Sequence, residues 1–350
     1  MATIAFRTTA SKQIGFGHLR RCLTLAGELR RAGGAAASVY FWIDGDPAAV
    51  AVAAAAGFQA RLVSGPEPDA TAALLDAGEL DTLVVDSYAV TPASFSAWRP
   101  RAGALVVIDD LADRELDVDV VVNGSPYAAQ LSYRTAPDVV RLLGPRYALL
   151  RPIFRELPRR PAAPRVARVL VTLGGADPHS STTAVVEVVQ RALPGAALDV
   201  VVGPLFGPVP ELDRRGAGDR ERLRLHRDLD DLSPLMSAAD LAVSGGGQTL
   251  YELAATGVPT VALCLADNQE PNIAALAGVS LLPAGRVEAS AADRFRSVEE
   301  GCGRLAADPA LRQRMSDAGR ALIDGQGAAR VADVILRSGH RPRSIDHGST

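Results

Sequence analysis

The chain has 350 residues, of which 48% are hydrophobic and 22% are charged. This balance excludes an intrinsically disordered chain and a collagen-like repeat, and the formal net charge of -3 is unlike that of a basic nucleic-acid scaffold. At about 100–200 residues per domain, the length predicts two domains.

In the first half, short β-branched runs alternate with stretches rich in alanine and leucine, a pattern typical of βαβ units with a parallel sheet. The clearest helix is predicted over 18–32, where apolar residues recur at helical spacing. Strands are predicted near 3–8, 38–42, 82–86, 105–109 and 118–123.

A segment rich in proline and arginine, 156–168, favours neither helix nor strand and is predicted to be a linker. After it the alternation restarts. Strands are predicted at 169–173, 198–202, 223–226, 241–244 and 260–263, and helices from 181, over 249–256 and over 309–337.

These elements predict an α/β protein with two Rossmann-like domains, residues 1–155 and 169–338, joined by the linker and followed by a disordered tail at 339–350. We expect the parallel sheets to face a cleft, because open α/β sheets bind ligands at the carboxyl ends of their strands.

The three cysteines share no metal-ligand spacing, and their odd number excludes a complete disulfide framework. No segment reaches the roughly 20 apolar residues of a membrane span, and the N-terminus lacks a signal-peptide pattern. The sequence therefore predicts a reduced, cytoplasmic protein with no metal, no membrane span and no nucleic-acid partner.

The first predicted strand is followed by Gly15-Phe16-Gly17-His18, which opens the first helix. Two glycines permit a tight turn that a ligand can approach closely, and a helix N-terminus favours an anion. Arg20 stands where a dinucleotide fingerprint needs its third glycine, so nicotinamide binding is disfavoured. The helix dipole favours a neutral His18, the form that a general base requires. A capping or core histidine is the alternative.

A second glycine-rich turn lies between the strand at 241–244 and the helix at 249–256. The backbone N–H groups at such a helix start can hold a phosphate, and Glu252, one turn further, is placed to bind ribose hydroxyls. The alternative is a flexible loop with a surface glutamate. The turn comprises Ser244, Gly245, Gly246, Gly247, Gln248 and Thr249.

The loop at 265–272 carries the amides Asn268, Gln269 and Asn272, which both donate and accept hydrogen bonds and therefore suit sugar hydroxyls. Gly174 and Gly175 mirror the first turn and would let a pyrophosphate or a sugar approach the second domain.

Acidic residues also end two predicted strands of the first half, in Asp86-Ser87-Tyr88 and Asp109-Asp110. They fit a sugar pocket, or equally helix N-caps, which aspartate favours.

Six motifs occur together in one order along the chain: Gln-Ile-Gly-Phe-Gly-His, Asp-Ser-Tyr, Val-Ile-Asp-Asp-Leu-Ala, Gly-Pro-Arg-Tyr-Ala-Leu-Leu-Arg-Pro, Leu-Gly-Gly-Ala-Asp-Pro and the glycine block 245–259. This set resembles the UDP-2,4-diacetamido-2,4,6-trideoxy-β-L-altropyranose hydrolases of pseudaminic acid biosynthesis. That family includes spore-coat polysaccharide proteins and shares the GT-B fold with the lipid II-forming N-acetylglucosaminyltransferases.

The resemblance implies an inverting attack of water on the anomeric carbon of a UDP-sugar, without metal or cofactor. It implies that His18 is the general base and that Asp86 and Tyr88 belong to the catalytic site. It also implies that Glu252 binds the ribose and that the backbone of residues 226–228, around Arg227, contacts uracil. The remaining glycines, Arg20 and the three loop amides would then bind the rest of the substrate.

The sequence departs from the family pattern at Ser87, where many members have histidine, and at Ile153, where glutamate is usual. Another amino-deoxy sugar nucleotide is therefore an alternative substrate. The same machinery would transfer the sugar if the base activated an acceptor hydroxyl, since fold does not fix function. A non-catalytic UDP-binding protein is the third alternative, which His18 disfavours.

Overall fold

The computed structural model describes residues 2–11, 14–34, 37–63, 71–72, 75, 80–175, 177, 180–227, 229–286 and 291–338, with 291–294 described by backbone alone. The chain divides into two units, Met1–Arg151 with Gln326–Thr350, and Pro152–Gly325. The tail predicted at 339–350 lies outside the described residues.

The first unit is built on a parallel sheet whose central strands are buried at every position, because their continuous apolar runs have helices on both sides. Its strands are β1 (Ala2–Ala10), β2 (Ala37–Gly45), β3 (Gln59–Leu62), β4 (Thr82–Asp86), β5 (Ala104–Ile108), β7 (Val120–Asn123) and β9 (Val140–Leu143), while β6 (Glu115–Leu116) pairs separately with β8 (Arg134–Thr135). The order is β3-β2-β1-β4-β5-β7-β9. The strand order therefore reverses between β1 and β4, where such sheets bind ligands.

The helices of the first unit are α1 (Gly17–Gly33), α2 (Pro47–Ala55), α3 (Pro92–Trp98) and α12 (Gly327–Ser338). Helix α12 packs against α1 and buries Val331, Ala332 and Ile335 in the core of this unit. The predictions of a single helix over 309–337 and of a second domain reaching 338 are therefore wrong. The helical stretch is interrupted around Gly325, which has φ +71°, and the apolar face of α12 completes the first unit.

The second unit has six parallel strands in the order β12-β11-β10-β13-β14-β15. They are β10 (Arg168–Thr172), β11 (Ala197–Val202), β12 (Leu223–Arg227), β13 (Leu241–Gly245), β14 (Thr260–Cys264) and β15 (Leu281–Arg286). The helices are α4 (Ile153–Glu156), α5 (Ser181–Ala192), α6 (Pro210–Gly218), α7 (Ser233–Ala238), α8 (Thr249–Thr256), α9 (Glu270–Leu276), α10 (Ala291–Ala307) and α11 (Pro309–Leu322).

The segment predicted as a linker, 156–168, belongs to the second unit and is hydrogen-bonded to α11. The side-chain oxygen of Gln313 accepts a hydrogen bond from the backbone of Ala162 at 2.7 Å, and the Arg312 guanidinium donates to the carbonyl of Ala163. Arg168 is already the first residue of β10. In the part of the chain that the structure describes, no helix is both long and apolar enough to cross a membrane.

Candidate active site in the first unit and phosphate-binding turn in the second

The turn between β1 and α1 is opened by Gly15, whose φ of +83° lies in the left-handed region that glycine tolerates. Its backbone N–H donates to the Ser11 carbonyl at 2.7 Å. A Cβ at Gly15 or at Gly17 would meet no atom within 4 Å in the part of the chain that the structure describes. The space in front of this turn is therefore open to a ligand.

His18, the second residue of α1, is buried, and its Nδ1 lies 2.7 Å from Oδ1 of Asp86 at the end of β4. Asp86 is wholly buried. Burial alone would raise the pKa of Asp86, but the charge and hydrogen bonds of Arg21, with that of His18, lower it to about 2. The ionised carboxylate favours the proton on Nδ1, where an Arg21 nitrogen makes the longer contact at 3.2 Å. This tautomer leaves the lone pair on Nε2, which makes no hydrogen bond to the described residues.

Arg21 lies one turn further along α1 and joins two aspartates. Its Nε and one terminal nitrogen each donate to Asp86 at 2.6 Å, and the other terminal nitrogen donates to Asp110 at 2.6 Å. This bidentate geometry is the strong form of the arginine–carboxylate pair. Arg21 is not among the predicted site residues, although its position three residues after His18 on one helix face was a usable signal.

Tyr88 completes the cluster, with its ring edge-on to the His18 imidazole at a centroid distance of 4.6 Å. Its hydroxyl donates to Asp110 at 3.1 Å. Burial and the nearby charge of Asp110 raise the pKa of Tyr88, so the phenol stays neutral. The ring is 46% exposed, which places it at the surface of the cluster.

Asp109 and Arg114 support this cluster without touching His18. The Asp109 carboxylate accepts hydrogen bonds from the backbone of Leu111 and Ala112 and from Arg114. Arg114 also donates to the carbonyls of Ser87 and Tyr88, which fixes the loop after β4. Asp109 therefore caps a turn, whereas Asp86 and Asp110 belong to the histidine cluster.

Arg20, predicted to contact substrate, is exposed on α1. Its side chain makes no hydrogen bond to any residue that the structure describes. Its predicted contact with substrate stays a prediction.

In the second unit, the glycine-rich turn between β13 and α8 contains two kinds of glycine. A Cβ at Gly245 would press on the Leu173 carbonyl and Leu265, and one at Gly246 would press on Gln269 and Ile273. At Gly247, a Cβ would meet nothing within 4 Å. Packing therefore requires glycine at positions 245 and 246, whereas the backbone at Gly247 stays accessible to a ligand.

Two amides at the start of α9 hold this turn in place, Gln269 just before the helix and Asn272 within its first turn. The side-chain oxygen of Gln269 accepts hydrogen bonds from the backbone of Gly246 at 2.9 Å and of Leu265 at 3.0 Å. Asn272 donates to the Gly246 carbonyl at 3.0 Å and accepts from Tyr251 at 2.5 Å. This anchoring role was not foreseen. Contact of Gln269, Asn272 and the exposed Asn268 with a sugar stays a prediction.

The starts of α5 and α8 differ in how they are capped. Asp177 accepts hydrogen bonds from the backbone of Ser181 and Thr182 and from the Thr182 hydroxyl at 2.6–2.9 Å, so a carboxylate of the chain already occupies the start of α5. Helix α8 begins after Gln248 with no side-chain cap. The backbone N–H groups of Gly247, Gln248 and Thr249 make no hydrogen bond to the residues that the structure describes, which makes this helix start the better anion site of the two.

The other predicted residues of the second unit have the following positions. Gly174, with φ +112°, and Gly175 follow β10, and a Cβ at either would meet no described atom within 4 Å. Arg227 is exposed and pairs with Asp213 at 2.7 Å, and Asp228, also predicted near uracil, lies outside the described residues. Glu252 is half-buried in the first turn of α8. Ser244 is buried, and its hydroxyl donates a hydrogen bond to the Gly245 carbonyl.

No protein-family model matches the chain. The UDP-N-acetylglucosamine–N-acetylmuramyl-(pentapeptide) pyrophosphoryl-undecaprenol N-acetylglucosamine transferase of Clavibacter michiganensis subsp. michiganensis (strain NCPPB 382) is 30% identical over 269 residues, 71% of this chain and 68% of the relative. The spore coat polysaccharide biosynthesis protein SpsG of Bacillus subtilis (strain 168) is 26% identical over 208 residues, 55% of this chain and 57% of the relative.

A Helicobacter pylori (strain ATCC 700392 / 26695) protein named pseudaminic acid cytidylyltransferase and UDP-2,4-diacetamido-2,4,6-trideoxy-beta-L-altropyranose hydrolase is 25% identical over 217 residues, 61% of this chain and 39% of the relative. The chain spans 51% to 57% of the length of several curated relatives that it matches.

Two solved glycosyltransferases share the fold. The calicheamicin glycosyltransferase CalG4 superposes with a TM-score of 0.62 at 18% identity, covering 98% of this chain and 99% of its own. The glycotransferase of kitacinnamycin gives a TM-score of 0.66 at 19% identity, covering 96% of this chain and 99% of its own. The predicted fold class, two α/β domains with parallel sheets as in GT-B glycosyltransferases, is confirmed.

Proposed function

Because the chain belongs to the family of UDP-N-acetylglucosamine–N-acetylmuramyl-(pentapeptide) pyrophosphoryl-undecaprenol N-acetylglucosamine transferases, we propose that it transfers an amino sugar from UDP to an acceptor hydroxyl. The observation that carries this proposal is the His18–Asp86 pair, in which the carboxylate lies 2.7 Å from Nδ1 and Nε2 has no partner among the described residues. This arrangement suits a general base that activates a hydroxyl nucleophile.

In the proposed reaction, Nε2 of His18 takes the proton of the acceptor hydroxyl as its oxygen bonds to the anomeric carbon. The bond from that carbon to the diphosphate breaks, and its electron pair leaves with UDP. Asp86 stabilises the imidazolium that forms. A single displacement inverts the anomeric carbon. A single displacement fits this cluster because neither carboxylate is available as a nucleophile. Asp86 is hydrogen-bonded to His18 and Arg21, and Asp110 to Arg21 and Tyr88.

We assign the UDP moiety to the second unit. The uncapped start of α8 and the open space at Gly247 support binding of the diphosphate there, where helix N–H groups meet the charge of the leaving group. Glu252, in the first turn of the same helix, would accept hydrogen bonds from the ribose. The backbone around Arg227 would meet the uracil, and Asn268 the sugar.

Hydrolysis is the second candidate function. It is favoured by the similarity to the Helicobacter pylori protein, whose name includes hydrolysis of UDP-2,4-diacetamido-2,4,6-trideoxy-β-L-altropyranose. The two reactions differ only in the nucleophile, which is water in the second. The His18 pair would serve both.

The two functions are separated by measuring UDP release in ¹⁸O water with EDTA present. The donors are UDP-N-acetylglucosamine and the diacetamido-trideoxy-altrose nucleotide, each with and without a short-chain analogue of the muramyl-pentapeptide pyrophosphoryl lipid. Transfer requires UDP release that depends on the acceptor. Hydrolysis requires acceptor-independent release with ¹⁸O in the free sugar. If UDP binds but neither donor reacts under any of these conditions, the proposed activity is wrong for these substrates.

A further inference from the structure

A cavity of about 40 Å³ lies in the second unit at the C-terminal end of α8, away from the glycine-rich turn at its start. It is lined by segment 158–163, by the turn after α8 and by α11. Three of its lining residues, Arg312, Ser316 and Arg320, are spaced four apart and so share one face of α11. At about 10–15 Å³ per water, the cavity has room for about three water molecules.

The polar groups around this cavity carry surplus positive charge. Arg160, Arg312 and Arg320 supply three guanidinium groups, and Asp240 is the one carboxylate among the lining residues. Asp240 is already engaged, since one of its oxygens accepts hydrogen bonds from two backbone N–H groups at 2.9 and 3.0 Å. Its other oxygen lies 3.6 Å from Arg160. Arg312 and Arg320 therefore have no carboxylate of their own in the cavity.

Arg312 is 1% exposed, so its guanidinium is buried. Its terminal nitrogens donate to the carbonyls at the end of α10 and to Ala163, but its Nε has no partner. Arg320 donates to the Pro158 carbonyl at 3.3 Å, and its buried Nε also has no partner. Buried N–H donors rarely remain unpaired, because their desolvation is then uncompensated.

The donors of Arg320 and Ser316 lie together over Gly257. A Cβ at this glycine would collide with Nε of Arg320 and with Oγ of Ser316. Ser316 is buried, and its hydroxyl makes no hydrogen bond to the residues that the structure describes. Arg312, Ser316 and Arg320 therefore line the same small cavity, and both arginines keep a buried Nε–H with no partner among the described residues.

We propose that this cavity binds a small oxyanion, a phosphate ion or a terminal phosphate group, through Arg312, Ser316 and Arg320. Guanidinium groups suit tetrahedral oxyanions because their planar N–H donors match the oxygen spacing. The backbone contacts of both arginines use other nitrogens, so the anion takes the donors that remain. The bound anion would link segment 158–163 to α11 through hydrogen bonds. This anion site is separate from the UDP site assigned to the start of α8.

The test is thermal unfolding of the full chain in potassium phosphate against potassium chloride of equal ionic strength, both with saturating UDP. UDP occupies the proposed diphosphate site, so a remaining phosphate effect comes from elsewhere. At a phosphate concentration about ten times its Kd, the unfolding midpoint should rise by about 3 °C. Arg320→Met should abolish the rise. Arg314→Met, on the same helix with a side chain 66% exposed, should retain it.

Arg320 is chosen for substitution because Arg312 also holds the end of α10. Replacing Arg312 would change the unfolding midpoint directly, which would hide any effect on phosphate binding. Glycerol 3-phosphate, measured in parallel, separates the two sources of the anion. A rise with phosphate alone assigns the cavity to the free ion, and a rise with both assigns it to a terminal phosphate group. The proposal is overturned if phosphate acts no differently from chloride, or if Arg320→Met and Arg314→Met respond alike. That comparison holds whether or not UDP binds.

Discussion

Replacing Asp86 with asparagine tests how the histidine cluster works, because it removes one charge while keeping the shape of the side chain. Asp86 accepts one hydrogen bond from His18 and two from Arg21. An asparagine amide can donate to Nδ1 of His18, which moves the ring proton to Nε2 and removes the base. The comparable change in serine proteases lowers kcat about 10⁴-fold, and we expect a loss of that order here.

The same substitution has a cost in stability that follows from the pKa of Asp86. That pKa is lowered from 3.8 to about 2. At 1.36 kcal/mol per unit, the ionised carboxylate contributes about 2 kcal/mol to the free energy of unfolding at neutral pH. Because the folded pKa is depressed, this contribution is present above pH ~4 and is lost as the pH falls towards ~2.

The assay is kcat for UDP release, with UDP affinity by calorimetry and the free energy of unfolding by urea titration. Asp199 offers a matched control, since it is also buried and accepts hydrogen bonds from a histidine, His226, and an arginine, Arg168, both at 2.7 Å. Asp199→Asn should lower stability because it disturbs buried hydrogen bonds, but it should change kcat by no more than about threefold. If Asp86→Asn keeps more than about a tenth of wild-type kcat while His18→Ala is inactive, Asp86 does not set the tautomer.

Three further predictions concern separate parts of the chain. His18→Ala should reduce kcat by about 10²–10⁴-fold and leave UDP affinity within about twofold, because the base is lost but the nucleotide site remains. An equal loss of UDP binding, measured by calorimetry, would contradict the role of His18 as the base. Gly247→Ala should weaken UDP binding while the thermal midpoint holds, because a methyl would enter the space proposed for the diphosphate. Gly246→Ala should instead lower the midpoint, because its Cβ would lie 2.7 Å from Gln269; equal effects in both variants would refute this division. A chain ending at Gly325 should lose cooperative unfolding of the first unit, since α12 fills its core; intact unfolding cooperativity by calorimetry would argue against that packing.

Much of the fold follows from local sequence patterns. The apolar runs and the stripe on α1 predict parallel strands and helices because their periodicity depends only on neighbouring residues. Strands β3, β9 and β15 were not predicted. β3 is short and mostly exposed, β9 is interrupted by Arg141, and β15 contains Pro283 and Gly285, so none shows a clear strand pattern.

The glycine-rich turns and His18 were also visible in the sequence, because the chemistry of a strand–glycine–helix element is local. By contrast, the sequence could not pair His18 with Asp86, which is 68 residues away, or Arg21 with Asp110, which is 89 residues away. The first pair exists because β1 and β4 are neighbours in the sheet, and the second also requires β5 to lie beside β4. Long-range hydrogen bonds between buried side chains depend on strand order, which periodicity does not encode.

The sequence alone determined that two parallel α/β sheets would form and that a histidine would stand at a glycine turn. The tertiary structure alone decided that α12 belongs to the first unit, because an apolar helix face packs wherever a complementary surface is available. It also decided that Gln269 and Asn272 anchor the glycine-rich turn, since the partner of a side-chain amide depends on which segments the folded chain brings together. Local periodicity fixes which segments form helices and strands, and packing fixes which side chains meet.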